Sequence, residues 1–346
     1  MGISSGEDAH RDTVVVAASA GGITALRRLL AALPPDLPAT VLGVVHLPAA
    51  GNSVLPNVLG RGSSLLVEFG RDRATPRYGR MYVAPADRHL LLRGDELRLS
   101  GGPRQNGVRP AADPLFFSAA LARGRRVLAV VLSGMLDDGA AGCATVEARG
   151  GSVAVQDPDE ADYDGMPAAA LAATTKAFCG GIEEIARFVV EETRGALMGD
   201  ETNRAFEPDV ELERLIAGLL VPEDAESDPP ASDFVQLTCP DCGGPLYSRS
   251  MPGGQPRLEC MIGHGWSPQT LLESHGVMVE RALSMAIVQL TERANLTRRL
   301  AVSAGERGHR LSAAMFEDKT RQADEAVVAL RRLLDELIGQ ETGRGR

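Results

Sequence analysis

The stretch RDTVVVAASAGGITALRRLL, residues 11–30, runs an apolar segment into a helical pattern through one serine and two glycines. Val14 to Val16 form an unbroken apolar run of the kind that a strand buried on both faces requires. After Ser19 and Gly21-Gly22, Leu26, Leu29 and Leu30 recur at helical spacing. The stretch therefore reads as a parallel strand, a tight turn and a helix, with Ser19 at the carboxyl end of the strand. Three roles are open to that serine: a helix N-cap, part of a phosphate loop, or a nucleophile. A dinucleotide loop needs G-x-G-x-x-G, which AASAGG lacks, and a hydrolase elbow needs G-x-S-x-G, where Ala17 replaces the first glycine.

Working outward, further strand candidates lie at 40–47 (TVLGVVHL), 79–86, 126–134 (RVLAVVLSG) and 151–157, with helical patterns at 22–33, 113–123 and 139–149. This rhythm predicts an α/β domain with a doubly wound, mostly parallel sheet over about residues 1–195. HLLLRGDELRLS, residues 89–100, reads instead as a hairpin turning at Gly94-Asp95. The net charge of −10 is local, because residues 200–233 hold 11 acidic and 2 basic side chains. What remains has no basic face for nucleic acid. No apolar run reaches the ~18–20 residues that span a bilayer, and the polar head MGISSGEDAHRD carries no signal-peptide core. The expected location is the cytoplasm, without membrane insertion.

A nucleophilic serine needs a base. Of six histidines, His46 ends the strand TVLGVVH and so shares a sheet edge with Ser19; His89, at the start of the hairpin, is the weaker candidate, and His10 falls in a head expected to be unstructured. Asp137 and Asp138 follow the apolar run VLAVVLSG. Either can orient an imidazole or cap the helix that starts near Ala140.

These residues sit in a longer series of motifs. SAGG, VVHLP, MYVAPADRHLLL, RPAADPLF, LSGMLDDGAAG, AVQDP and GMPAAAL occur in that order over residues ~12–192. In this the chain resembles the catalytic domain of the CheB-type chemotaxis methylesterases, the protein-glutamate methylesterases. The resemblance implies a Rossmann-like methylesterase fold and a catalytic triad of Ser19, His46 and Asp138, the last chosen because the family's aspartate precedes the glycine that is Gly139 here. It implies backbone donors for an oxyanion at Met135 and Ala20. The implied reaction is acyl transfer from a glutamate γ-methyl ester on a helical, receptor-like signalling protein, with glutamine deamidation as a second outcome. Ala20 stands where the family usually has threonine, Leu136 where glycine is frequent, and Val108 where histidine often precedes Arg-Pro. Chemotaxis members usually carry an N-terminal receiver domain. Only about 12 residues precede the first strand here, so the expectation is an esterase without a receiver in cis.

Residues 196–233 read as an acidic linker, ending in VPEDAESDPPASD, with a short helix near 208–220. Over 234–268, Cys239, Cys242, Cys260 and His264 have the Cys-x2-Cys…Cys-x3-His spacing of a closed tetrahedral zinc site. Five cysteines, an odd number, argue against a disulfide framework. A zinc-ribbon-like unit with structural Zn2+ is expected there, with no cofactor for catalysis. Residues 269–340 carry two long helical patterns broken by AGERGH, predicting a helical hairpin that serves as a dimerisation arm or packs on a helical partner. A catalytically weak adaptor built on the same fold is the alternative to an enzyme.

Overall fold

The structure is a computed structural model that describes residues 10–46, 54–197, 209–220, 234–251 and 253–343. Leu47 and Pro48 of the VVHLP motif, and the proline-rich linker stretch 221–233, lie outside the described residues. Contacts divide the chain into two compact units, Met1–Leu271 and Leu272–Arg346.

The first unit is built on a seven-stranded sheet. Its strands are β1 (Thr13–Ala18), β2 (Thr40–Val45), β3 (Leu66–Phe69), β4 (Arg80–Val83), β7 (Val127–Val131), β8 (Ser152–Gln156) and β9 (Phe178–Gly180). They lie in the order β3-β4-β2-β1-β7-β8-β9, every pairing parallel. The chain works outward from β1 through β2, then crosses back to β7 on the other side of β1. The carboxyl ends around β1 are therefore the switch region where such sheets bind ligands. Between β4 and β7, β5 (His89–Arg93) and β6 (Glu96–Ser100) form the antiparallel hairpin expected around Gly94.

The apolar runs explain the layering. In β1, Val14, Val16 and Ala18 face one side and pack with α1 (Gly22–Ala32), α2 (Leu55–Gly60) and α6 (Ile182–Arg194). Val15 and Ala17 face the other side, against α3 (Ala112–Arg123), α4 (Ala140–Ala148) and α5 (Gly165–Ala173). All six β1 residues are buried, at about 1.5–3 kcal/mol for each fully buried large aliphatic side chain. His10, expected in an unstructured head, instead pairs with Ala196 and places Nε2 3.0 Å from the Pro38 carbonyl oxygen.

Helix α7 (Val210–Leu220) turns Leu212, Leu215, Ile216 and Leu219 onto Leu91 and Phe117. Next come four short antiparallel strands, β10 (Phe234–Thr238), β11 (Pro245–Ser250), β12 (Pro256–Cys260) and β13 (Gly265–Trp266). They enclose a small core of Cys239, Leu246, Leu258, Cys260, Trp266 and Leu271.

In the second unit, α8 (Pro268–Glu306) runs to the turn at Gly308 and α9 (Arg310–Gly343) follows. The turn closes where His309 N–H reaches the Ala304 carbonyl at 2.9 Å and Gly308 takes φ 76°, a left-handed exit that glycine allows without strain. The helices meet along small residues: Ala294, Ala301, Ala304 and Ala323 are buried, and Thr297 bonds Thr320 at 2.7 Å.

Candidate active site

Ser19 lies one residue past β1. Its N–H continues the ladder by donating to the Ser133 carbonyl at 3.0 Å. His46 lies one residue past β2, with its N–H on the Ala18 carbonyl at 3.1 Å. Extension of the parallel ladder thus fixes both backbones before any side-chain contact is made. Helix α1 begins at Gly22, with Gly21 in the N-cap position at φ 71°. Ser19 stands outside the helix, which removes the cap reading, and its hydroxyl is left for His46.

His46 Nδ1 is 3.2 Å from Ser19 Oγ, and His46 Nε2 is 2.8 Å from Asp138 Oδ2. His46 keeps 17% of its side-chain surface exposed and Asp138 5%. Burial by itself would raise the Asp138 pKa, but hydrogen bonds from His46, Ala112 and Asp113 outweigh it and hold the carboxyl below its ordinary value. An ionised carboxylate needs a donor, so Nε2 carries the proton and the Nδ1 lone pair faces the serine.

The aspartate is held by an exchange of caps that the sequence reading did not foresee. Asp138 follows β7 but does not cap α4, whose N-cap is Gly139 at φ 94°. It receives the first N–H groups of α3 instead, Ala112 at 2.6 Å and Asp113 at 3.3 Å. In return Asp113 Oδ1 receives the N–H groups of Gly139 (3.1 Å) and Gly142 (2.8 Å) at the start of α4. The α4 N-terminus meets the carboxyl of Asp113 from α3, and the α3 N-terminus meets that of Asp138 from the loop before α4. Burial first, and then Asp138, push the Asp113 pKa up to about 8. Asp138, with His46 and two backbone N–H groups on it, is thus the more acidic of the pair.

The residues around Ser19 are packed tightly. A Cβ on Gly134 would lie 2.1 Å from Met166 Sδ and 2.9 Å from Ser19 Cβ. The segment Gly134-Met135 therefore passes directly against the serine, and Met135 stays 58% exposed at the rim. Leu136, where glycine was the usual alternative, adopts φ 62°. Ser133 ties the segments that follow β1, β7 and β8 together: its hydroxyl donates to the Ala20 carbonyl at 2.8 Å and accepts the Tyr163 N–H at 3.0 Å. Gly134→Ala is expected to lower turnover at least ten-fold by displacing Ser19, measured beside an unchanged secondary-structure spectrum. Wild-type turnover would disprove the tight approach.

His89, the runner-up base, is completely buried, with Nε2 3.0 Å from the Pro103 carbonyl and Nδ1 accepting from Ala111 N–H at 3.3 Å. Burial lowers its pKa to about 4. It is a neutral structural histidine.

Cys239, Cys242, Cys260 and His264 bring one ligand atom each to within 4.8 Å of the others. The Cys242–Cys260 Sγ separation is 3.6 Å, and His264 Nδ1 lies 3.8 Å from Cys239 Sγ and 3.5 Å from Cys260 Sγ. A tetrahedron with metal–sulfur bonds of about 2.3 Å and metal–nitrogen bonds of about 2.0–2.1 Å has edges of roughly 3.5–3.8 Å. The four residues fit a metal ion. Two tight turns supply the spacing, through Gly243 N–H to the Cys239 carbonyl (2.8 Å) and Gly263 N–H to the Cys260 carbonyl (2.9 Å). Trp266 Nε1–H points at Cys239 Sγ, 3.4 Å away, as a donor to a thiolate would.

With this geometry in view, the kinships of the chain are informative. The family model described as CheB methylesterase matches residues 14–189, just over half of the chain. A protein-glutamate methylesterase/protein-glutamine glutaminase of Anaeromyxobacter dehalogenans (strain 2CP-C) is 38% identical over 186 residues, 54% of each chain. One from Pyrococcus abyssi is 35% identical over 184 residues, 52% of this chain and 50% of that relative. The chain thus spans about half the length of these curated relatives. A putative protein of the same name from Leptospira interrogans is 31% identical over 180 residues, 93% of its own length. The crystal structure of the Thermotoga maritima CheB methylesterase catalytic domain superposes with a TM-score of 0.50 at 29% identity, over 52% of this chain and 97% of that one. The chain belongs to the CheB methylesterase family.

Proposed function

We propose that this chain hydrolyses glutamate γ-methyl esters on a receptor-like helical signalling protein, with Ser19 as nucleophile, His46 as base and Asp138 as its orienting carboxylate. One observation carries the reading: a continuous Ser19–His46–Asp138 hydrogen-bonded chain on the ligand-binding edge of the sheet. Ser19 attacks the ester carbonyl while its proton passes to His46 Nδ1. The imidazolium is stabilised by Asp138 and gives the proton to the departing methoxide oxygen as the C–O bond breaks, so that methanol leaves. Water, activated by the same nitrogen, then releases the glutamate. Backbone N–H groups of Met135 and Ala20 are the proposed oxyanion donors, a kind of contact worth about 3 kcal/mol each. A glutamine side chain entering the same site would be deamidated, with ammonia in place of methanol.

The metal that suits the Cys3His group is zinc, in a closed structural role, because four protein ligands leave no open position for chemistry. A cytoplasmic location is part of the proposal, since thiolate metal ligands suit a reducing compartment. Among the described residues no helix is long and apolar enough to cross a membrane.

The test is release of methanol from a fully methylated receptor signalling domain by the whole chain, with ammonia release from the glutamine form run beside it. Methanol above background is the expected result. Neither product, at any receptor concentration, would favour the adaptor reading.

For the second unit we infer a dimerisation arm. Leu272, Val279, Met285, Val288, Leu296 and Val302 stay largely exposed along α8, more apolar surface than a solvated arm needs. Light scattering of the whole chain is expected to give twice the monomer mass, and truncation after Leu271 to restore the monomer. A monomeric whole chain would contradict it.

A further inference from the structure

The loop between β6 and α3 connects the cysteine–histidine module to the aspartate of the site. Gln105 is completely buried; its Nε2 donates to the Gly263 carbonyl at 3.0 Å and its Oε1 accepts from Arg257 of β12. Asn106 is 7% exposed and held at φ 51°, a left-handed conformation that a side chain adopts at some cost. Its N–H donates to the Gly265 carbonyl at 2.7 Å, and its Oδ1 accepts the Ser267 N–H at 2.8 Å. The module thereby fixes the amide orientation, because Oδ1 is committed to a backbone donor. Nδ2 then points to the carboxyl pair, 3.3 Å from Asp138 Oδ1 and 3.4 Å from Asp113 Oδ2. Next along the chain, Asp137 Oδ1 accepts the Thr270 hydroxyl at 2.6 Å.

The acceptor carbonyls Gly263 and Gly265 flank His264, a member of the Cys3His group. Gly265 has no room for any side chain, since a Cβ there would fall 1.9 Å from an Arg257 nitrogen and 2.2 Å from Gln105 Oε1. The turn that would hold the metal is thus the turn on which Gln105 and Asn106 rest.

We propose that Asn106 is a positioning residue for Asp138, and that the cysteine–histidine module, by holding Asn106 and Asp137, keeps the Ser19–His46–Asp138 chain assembled. The module is then a brace of the esterase as well as an appendage to it. This inference rests on the esterase reading above, and its test separates the two. Asn106→Gly retains the left-handed backbone and removes the amide. In the whole, zinc-loaded chain it is expected to lower kcat about 10- to 100-fold, the usual size of a lost hydrogen bond to a charged group, with KM little changed. The low-field proton resonance of His46 Nε2–H, which reports its bond to Asp138, is expected to shift upfield in the variant. Chelating the zinc from the wild-type chain is expected to shift the same resonance.

Thr270→Val, close in shape, provides a second variant if Asn106→Gly fails to fold, with a kcat loss of a few-fold expected. Wild-type kcat and an unmoved resonance in a folded variant would overturn the brace while leaving the esterase intact. A wild-type chain that releases no methanol would overturn the esterase reading, and the brace with it.

Discussion

Asp138→Asn is expected to lower kcat by about 10^4 without unfolding the protein, the scale reported by the same change in a Ser-His-Asp site. The reason lies in the four hydrogen bonds around the carboxylate. Oδ2 accepts from His46 Nε2 and Ala112 N–H, and Oδ1 accepts from Asn106 Nδ2 and Asp113 N–H. All four neighbours are donors, so the amide NH2 of an asparagine meets a donor in either orientation. Turned toward His46, it forces the ring into the tautomer whose Nδ1 is protonated, and the lone pair facing Ser19 is lost. The pH dependence follows from the depressed carboxyl. A folded pKa below the unfolded ~3.9 means that the stability Asp138 contributes is fully present above that value. It is lost as pH falls through the lower folded pKa. The asparagine variant should lack this part of the acid unfolding. Asp113, raised to about 8, has the opposite sign: its contribution is present below ~4 and declines as pH rises toward 8. Activity of Asp138→Asn within ten-fold of wild type would remove Asp138 from the mechanism.

Removal of the proposed zinc is expected to have the second large effect. Six residues form the core of the cysteine–histidine module, too few to hold four short strands without a staple. Structural zinc sites of this kind contribute on the order of 10 kcal/mol to folding at neutral pH. Burial and the neighbouring Cys239 push the Cys260 thiol up to about 12, and a bound dication would instead hold it as the thiolate. Cys260→Ser is expected to abolish binding of one equivalent of zinc. The single tryptophan, Trp266, is buried in this core at 2% exposure. Its emission is therefore expected to shift to the red on chelation and in Cys260→Ser. A protein that binds no zinc, or whose emission is indifferent to its removal, would show that the four residues are only neighbours.

How far the sequence was legible depended on how local each signal was. Ser19, His46 and Asp138 each follow a continuous apolar run, so their places on one sheet edge could be read from three short segments. The hairpin at Gly94 and the two long helices were visible for the same reason, a single unbroken period. Strand β3 was missed: four residues at the sheet edge, exposed or half-buried, leave no apolar run to see. The exchange between Asp113 and Asp138 was not visible either, because it joins the starts of two helices across the site. Asn106 and Gln105 were further out of reach. Their partners are backbone carbonyls of Gly263 and Gly265, more than 150 residues away, and a carbonyl carries no signature of residue type. The cap reading of Ser19 turned on two residues of register, which Gly21 decided by taking the N-cap position at positive φ.

The most direct test of the central claim is methanol release by the wild-type chain and by Ser19→Ala, measured on the same methylated receptor domain. Ser19 Oγ is the only atom asked to attack the ester, and removing the nucleophile of a comparable site costs about 10^6 in kcat. Release that falls to background in Ser19→Ala is the predicted result. Release at the wild-type rate by Ser19→Ala would contradict the account.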